Sequence, residues 1–320
     1  LNSQIRQLPI NLSDSIIPIA LKMLKNELND KNIKFKPHFW ISDEWFCPDG
    51  IPGVAIPFYL THPKLTLLEK KYIGMAEGEG LHQMMKYLRH ETGHAIENAF
   101  YLRKNKLRIE VFGTSKIQYP RYYLPKPFSQ KFVRNLNDNY SQSHPDEDFA
   151  ETFAVWLNPD SNWKLKYSNW KALDKLKAMD EIMLGIKNKN PLNNFKGTLA
   201  PHHLNKTLVS EYLKLKQKRL KILSKRQVGS FFKNNINKSN CGDYLLSLTL
   251  KNEYDILLNV LNVKKDLPKY KLKKILDELI DRSDLLQVKI NKNMKLSSIV
   301  KIIENKIDFD LKNKRHFIYL

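Results

Sequence analysis

Tyr87-Leu88-Arg89-His90-Glu91-Thr92-Gly93-His94-Ala95-Ile96-Glu97-Asn98-Ala99-Phe100 is the stretch around which the rest of the chain is read. Met84, Met85 and Leu88, then Ala95, Ile96, Ala99 and Phe100, recur at helical spacing. A helix buried along one side is therefore expected from about Leu81 to Arg103, after the Gly78-Glu79-Gly80 turn. Within it, His90-Glu91-x-x-His94 puts two imidazoles one turn apart on one face, with a carboxylate beside them. Two neutral imidazoles so spaced can hold Zn²⁺ at about 2.0–2.1 Å, and Glu91 is placed to deprotonate metal-activated water, which points to hydrolysis of an amide. Gly93 costs helix propensity of about 1 kcal/mol relative to Ala, so a close neighbour is expected to need its space. The alternative is an ordinary core helix that happens to carry two His.

A catalytic zinc needs a third protein ligand and an open fourth position. The candidate stretch is His144-Pro145-Asp146-Glu147-Asp148-Phe149-Ala150-Glu151-Thr152-Phe153-Ala154-Val155-Trp156-Leu157. Pro145 suits the start of a helix and the acidic residues after it suit a helix N-terminus. Glu147 and Glu151 then fall at i and i+4 on one face, while Phe149, Phe153 and Trp156 face a core. The alternative is a first turn whose carboxylates only answer the helix dipole. His144 is a rival ligand, although its place before Pro145 points to a cap or loop role. His82 lies too far from His90 along the helix axis to share an ion, and Asp146 and Asp148 point elsewhere on their helix.

The two stretches together resemble the gluzincin metallopeptidases, and are closest in pattern to the lethal-factor and Pro-Pro endopeptidase type. The block 43–160 is also similar to a bacterial family of zinc-binding metallopeptidases. It carries Asp43-Glu44-Trp45-Phe46, Arg89-His90-Glu91-x-Gly93-His94-Ala95 and the Ser143 to Trp156 stretch. The resemblance implies a zincin-type fold, Zn²⁺ as cofactor and a peptide or protein substrate. It implies His90, His94 and Glu147 as ligands, Glu91 as general base and Glu151 as the carboxylate that orients an imidazole. Tyr140, seven residues before Glu147, takes the place of a phenol that could stabilise the developing oxyanion.

With 320 residues, 42% hydrophobic and 27% charged, the chain can bury a real core. No apolar run approaches the roughly 20 residues needed to span a bilayer. The first residues show no apolar leader, and Cys47 and Cys241 are too few to suggest a disulfide framework, so a cytoplasmic location is expected. The net charge of +21 is uneven: residues 1–160 hold 20 Lys+Arg against 18 Asp+Glu, and residues 161–320 hold 34 against 15. That points either to an acidic partner such as nucleic acid or to a bias towards Lys that selects no ligand.

In chain order, Ser13-Asp14 are expected to cap a helix through Leu24, with Pro18 in its first turn. Ile33 to Ser42 alternates as a strand interrupted by Pro37. Ile51 to Leu60 alternates as an edge or cleft rim to which an extended substrate could add. A helix is expected from Leu65 to Ala76, a loop from Lys104 to Lys126 and a helix from Ser129 to Leu136. The loop's Tyr119, Arg121, Tyr122 and Tyr123 either line a cleft or pin the loop. Trp163, Leu165, Trp170, Leu173, Leu176 and Met179 are expected to continue the core. Lys214 to Arg226 reads as a helix whose basic residues are either solvated or bind phosphate. His202 and His203 lack Cys partners at zinc-finger spacing.

The expected architecture is α+β and mainly helical: a metallopeptidase domain with a small edge sheet over residues 1–190, then a basic helical region over 191–320. The leading reading is a zinc peptidase using metal-activated water and Glu91 as base. The rivals are a nucleic-acid-associated zinc protein and a zinc-holding scaffold without peptidase activity.

Overall fold

Pro18 fits the first turn of α1 (Ile17–Asp30), which starts at Ile16 without a side-chain cap; Ser13 and Asp14 lie outside the described residues. The computed structural model describes residues 15–73, 75–120, 122–123, 125–126, 128–198, 242–265, 269–313 and 318–319, with isolated positions between 4 and 12 and between 207 and 236. The chain is mainly helical and divides into two units, residues 1–211 with 317–320, and residues 212–316.

In the first unit, β1 (His38–Ser42) pairs in parallel with β2 (Gly53–Pro57). The strand at Ile33 to Ser42 is shorter than its alternation suggests. Ile33 and Phe35 are buried outside the ladder, and Pro37, which has no N–H to give, stands just before the first paired residue. Nor is β2 an open rim. All five of its residues are buried, and Phe46 bridges Ala55 on the other side from β1, accepting a 2.9 Å hydrogen bond from its N–H. Residues 58–61 then form a 3-10 turn and α2 spans Pro63–Ile73.

Helix α3 (Leu81–Phe100) runs through the core and stops at Tyr101, which adopts φ 52°. Its Arg89 forms a buried two-pronged ion pair with Glu27 of α1, at 2.8 and 2.6 Å. The expected loop after it contains a further helix, α4 (Lys106–Phe112), capped by the Asn105 side chain. Its buried face carries Arg108 and Phe112 while Ile109 is 40% exposed, the reverse of an apolar stripe. Arg121 and Leu124 lie outside the described residues.

The helix expected from Ser129 to Leu136 does not form. The N–H groups of Asn135 and Leu136 are committed instead to the Glu151 carboxylate, at 3.0 and 2.8 Å. Helix α5 (Pro145–Leu157) follows, with Pro145 at its first position; then come the short α6 (Trp163–Lys166) and α7 (Ala172–Ile186). Leu176 and Met179 of α7 are buried as expected, but Leu165 is 80% exposed, and Tyr167 fills the core there. Beyond α7 the chain folds back onto α3 and β1 within the first unit. The N–H groups of Leu192 and Asn193 both donate to the Ala99 carbonyl at 2.9 Å, and His38 Nε2 lies 2.7 Å from the Gly197 carbonyl.

The second unit has its own apolar core, in which Leu250, Leu257, Leu261, Leu276, Leu279 and Ile303 are buried. It is built from α8 (Leu246–Asn252), α9 (Tyr254–Lys265), α10 (Lys269–Leu285) and α11 (Leu296–Asn313). Residues 213–230, which include the basic stretch Lys214 to Arg226, lie outside the described residues, as do His202, His203 and Cys241.

Candidate metal centre

Helices α3 and α5 pack so closely that a Cβ on Gly93 would stand 3.0 Å from the Ala150 Cα. The glycine is the space through which the two helices approach. On the α5 side Phe149, Ala150, Phe153 and Ala154 are fully buried, and on the α3 side so are Leu88, Ala95, Ile96 and Ala99. The apolar residues expected to face the core do so, and their burial fixes the rotation of both helices.

That rotation brings His90, His94 and Glu147 together, with one donor atom from each lying within 4.8 Å of the others. The Glu147 Oε2 atom stands 3.0 Å from His90 Nε2 and 3.3 Å from His94 Nε2. Donors about 2.0–2.1 Å from a shared tetrahedral ion sit about 3.3 Å apart. All three side chains are buried.

Glu151, one turn after Glu147, is fully buried and reaches His90 Nδ1 at 2.9 Å. A carboxylate only accepts, so Nδ1 carries a hydrogen towards Glu151, and once the ring gives up its other proton it turns the lone pair at Nε2 towards the cluster. Three more donors, the N–H groups of Asn135 and Leu136 and the Asn135 amide, hold Glu151 in place. Tyr140 stands beside the same imidazole, ring centroids 5.7 Å apart.

Charge in the cluster is strongly coupled. Burial opposes protonation of His90, but its hydrogen bonds to Glu147 and Glu151 raise its pKa well above the usual value. Burial alone would raise Glu147, yet the charges and hydrogen bonds of His94 and His90 hold its pKa well below the usual carboxylate range. Glu91 is pushed up, first by burial and against the pull of the two imidazoles. Unlike the other two carboxylates, Glu91 makes no side-chain hydrogen bond among the described residues.

This donor set fits a cation. Three carboxylates, Glu91, Glu147 and Glu151, are buried with two imidazoles, and among the described residues no Lys or Arg is paired with any of them. Buried carboxylates in such excess need a positive partner, and two imidazoles plus one carboxylate is a donor set of catalytic zinc.

The other acidic and basic groups serve the scaffold. His144 is not a donor to the cluster: its Nδ1 accepts from the Asp146 N–H at 3.1 Å, capping α5, and its Nε2 lies 2.8 Å from the Ile117 carbonyl. Asp146 is paired with Arg108, which is fully buried and also donates to Glu97 at 2.7 Å. Asp148 is paired with Lys175 of α7. His82 is exposed on the first turn of α3.

Sequence reasoning did not single out Tyr119. Its hydroxyl donates to Glu147 Oε1 at 2.7 Å, and burial of that end together with the Glu147 charge raises its pKa far above the usual phenol. No spacing to either helix distinguished it from Tyr123, which pins the loop by donating to the Asp138 carbonyl at 3.0 Å.

Residues 69–187, which span α3 and α5, match the model of a family described as "Putative zinc-binding metallo-peptidase". No curated protein and no solved structure matches the chain. No helix among the described residues is long and apolar enough to cross a membrane.

Proposed function

We propose, from the zinc-binding metallo-peptidase family matched by residues 69–187, that this chain is a zinc-dependent peptidase of the gluzincin type. The observation that carries the reading is the convergence of His90, His94 and Glu147 on one point, with the uncommitted Glu91 next to His90. Zinc held by these three residues supplies a Lewis acid that polarises a carbonyl and makes water acidic near neutral pH.

The chain's own residues do the rest. Glu91, with its raised pKa, takes the proton from attacking water and passes it to the leaving amine. Glu151 keeps His90 in the tautomer that leaves Nε2 unprotonated. Tyr140, whose hydroxyl makes no hydrogen bond among the described residues, donates to the oxygen that becomes negative as the peptide carbonyl turns tetrahedral.

Metal analysis and casein hydrolysis test the reading together. Purified protein should carry about one Zn²⁺ per chain, and His94→Ala should lose most of it. Glu91→Gln should keep the metal and lose hydrolysis, because an amide cannot take the proton from water. If Glu91→Gln instead emptied the site, the roles of Glu91 and Glu147 would have to be exchanged. Zinc retained with no hydrolysis in the native chain would favour a non-catalytic zinc scaffold.

A further inference from the structure

The segment that delivers Tyr119 is fastened to the first turn of α5 at every second residue. It leaves α4 at Gly113, which adopts φ 101°, lies against Pro145 and whose carbonyl accepts from Arg108. Ser115 Oγ donates to Asp146 Oδ1 at 2.5 Å, and the Ile117 carbonyl meets His144 Nε2 at 2.8 Å. The Tyr119 ring lies flat on the His144 ring, centroids 3.8 Å apart and planes 15° apart. Its hydroxyl then reaches Glu147 Oε1, while Oε2 of the same carboxylate faces both imidazoles. Three anchors in five residues aim this phenol at one oxygen of one carboxylate.

We propose that Tyr119 is a positioning residue of the metal centre, holding Glu147 Oε1 so that Oε2 alone is offered as the ligand oxygen. The inference rests on the reading of Glu147 as a ligand given above. A carboxylate left free to turn can present both oxygens, and the second would use the coordination position that a catalytic zinc keeps open. The two phenols near the site thereby divide the work. Tyr119 is committed to Glu147, and Tyr140 is left to meet the substrate.

The test uses the full chain as native protein, Tyr119→Phe, Tyr140→Phe and Glu147→Ala. Each is titrated with zinc against a competing chelator, loaded with Co²⁺ for its visible spectrum, and assayed on casein and a peptide. The Phe ring keeps its stacking on His144, and Tyr119 is 49% exposed overall, so Tyr119→Phe should melt with the native chain. Its zinc affinity should fall about 10- to 100-fold, the usual effect of losing a hydrogen bond to a ligand. Its cobalt absorption should weaken as a second carboxylate oxygen joins the ion, and kcat should fall with KM little changed. Tyr140→Phe should keep native zinc affinity and cobalt spectrum and lose kcat. Native affinity and an unaltered cobalt spectrum in Tyr119→Phe would overturn the inference and leave the peptidase reading standing. A native chain that binds no zinc, or a Glu147→Ala variant that binds it normally, would overturn the reading beneath it.

Discussion

His90 and Glu147 are each held by a partner outside the donor set, Glu151 for the imidazole and Tyr119 for the carboxylate, and each partner can be removed by itself. Glu151 illustrates this: with four donors on a fully buried carboxylate, it holds His90 without facing the point where the donors converge. Glu151→Ala is expected to weaken zinc binding by about 10- to 100-fold, as losses of such supporting carboxylates do, read by chelator competition. Tyr140→Phe should lower kcat by about 100- to 1000-fold, the usual loss of one oxyanion donor, measured on a chromogenic peptide under saturation. Most of the candidate site was legible because its chemistry follows helical spacing: His90, Glu91 and His94 on one helix, Glu147 and Glu151 on another. Tyr119 was not legible, because its contact with Glu147 is made by a loop whose path follows from Gly113 lying against Pro145 and from Ser115 and Ile117 bonding to Asp146 and His144, and no periodicity encodes that path.

At the scale of elements, α3 and α5 were readable for the same reason, since both carry apolar stripes and Pro145 marks a start. The failures share a different cause. The stretch expected as a loop from Lys104 forms α4 instead, with Arg108 fully buried in it, because Glu97 and Asp146 on neighbouring helices take up its guanidinium. The segment 129–136 has residues that can be helical, but Glu151 takes the N–H groups of Asn135 and Leu136. In both cases a long-range polar partner overrides the local pattern. Two expected outcomes follow from these contacts. Arg108→Met should cost about 3–5 kcal/mol in denaturant unfolding, because it removes the fully buried guanidinium from two buried carboxylates and leaves them only the longer contacts to Arg103, at 3.5 and 3.3 Å. Gly93→Ala should also destabilise, by about 1–3 kcal/mol: the new methyl meets the Ala150 backbone at 3.0 Å, and the gain of up to about 1 kcal/mol in helix propensity does not offset the forced separation of α3 and α5.

For the whole molecule, zinc and net charge act on different parts of the chain. Zinc at about 100 times its dissociation constant should add about 2.7 kcal/mol to the unit that binds it, seen as a higher melting temperature that a chelator reverses. Lys214 to Arg226 holds seven of the basic residues behind the +21 charge. Phosphate-backbone binding through about five of them would give a slope of affinity against salt, both logarithmic, near −4. We expect no binding to duplex or single-stranded nucleic acid even at low salt, the outcome that favours a general bias towards Lys as the origin of the charge, and filter binding over a salt series decides it.

The return of the chain after α7 also determines where the protein can be cut. The Ala99 carbonyl, in the last turn of the helix that carries both His, has its acceptor capacity met by the N–H groups of Leu192 and Asn193, and the Gly197 carbonyl closes on His38 at the start of the sheet. A fragment ended at 187, where the family match stops, or at 190, the end of the first domain expected from the sequence, leaves that helix end and that strand without these partners. The shortest piece that preserves them runs to residue 198. An expression fragment trimmed closer should come out less soluble and bind metal more weakly, although no proposed ligand has been removed.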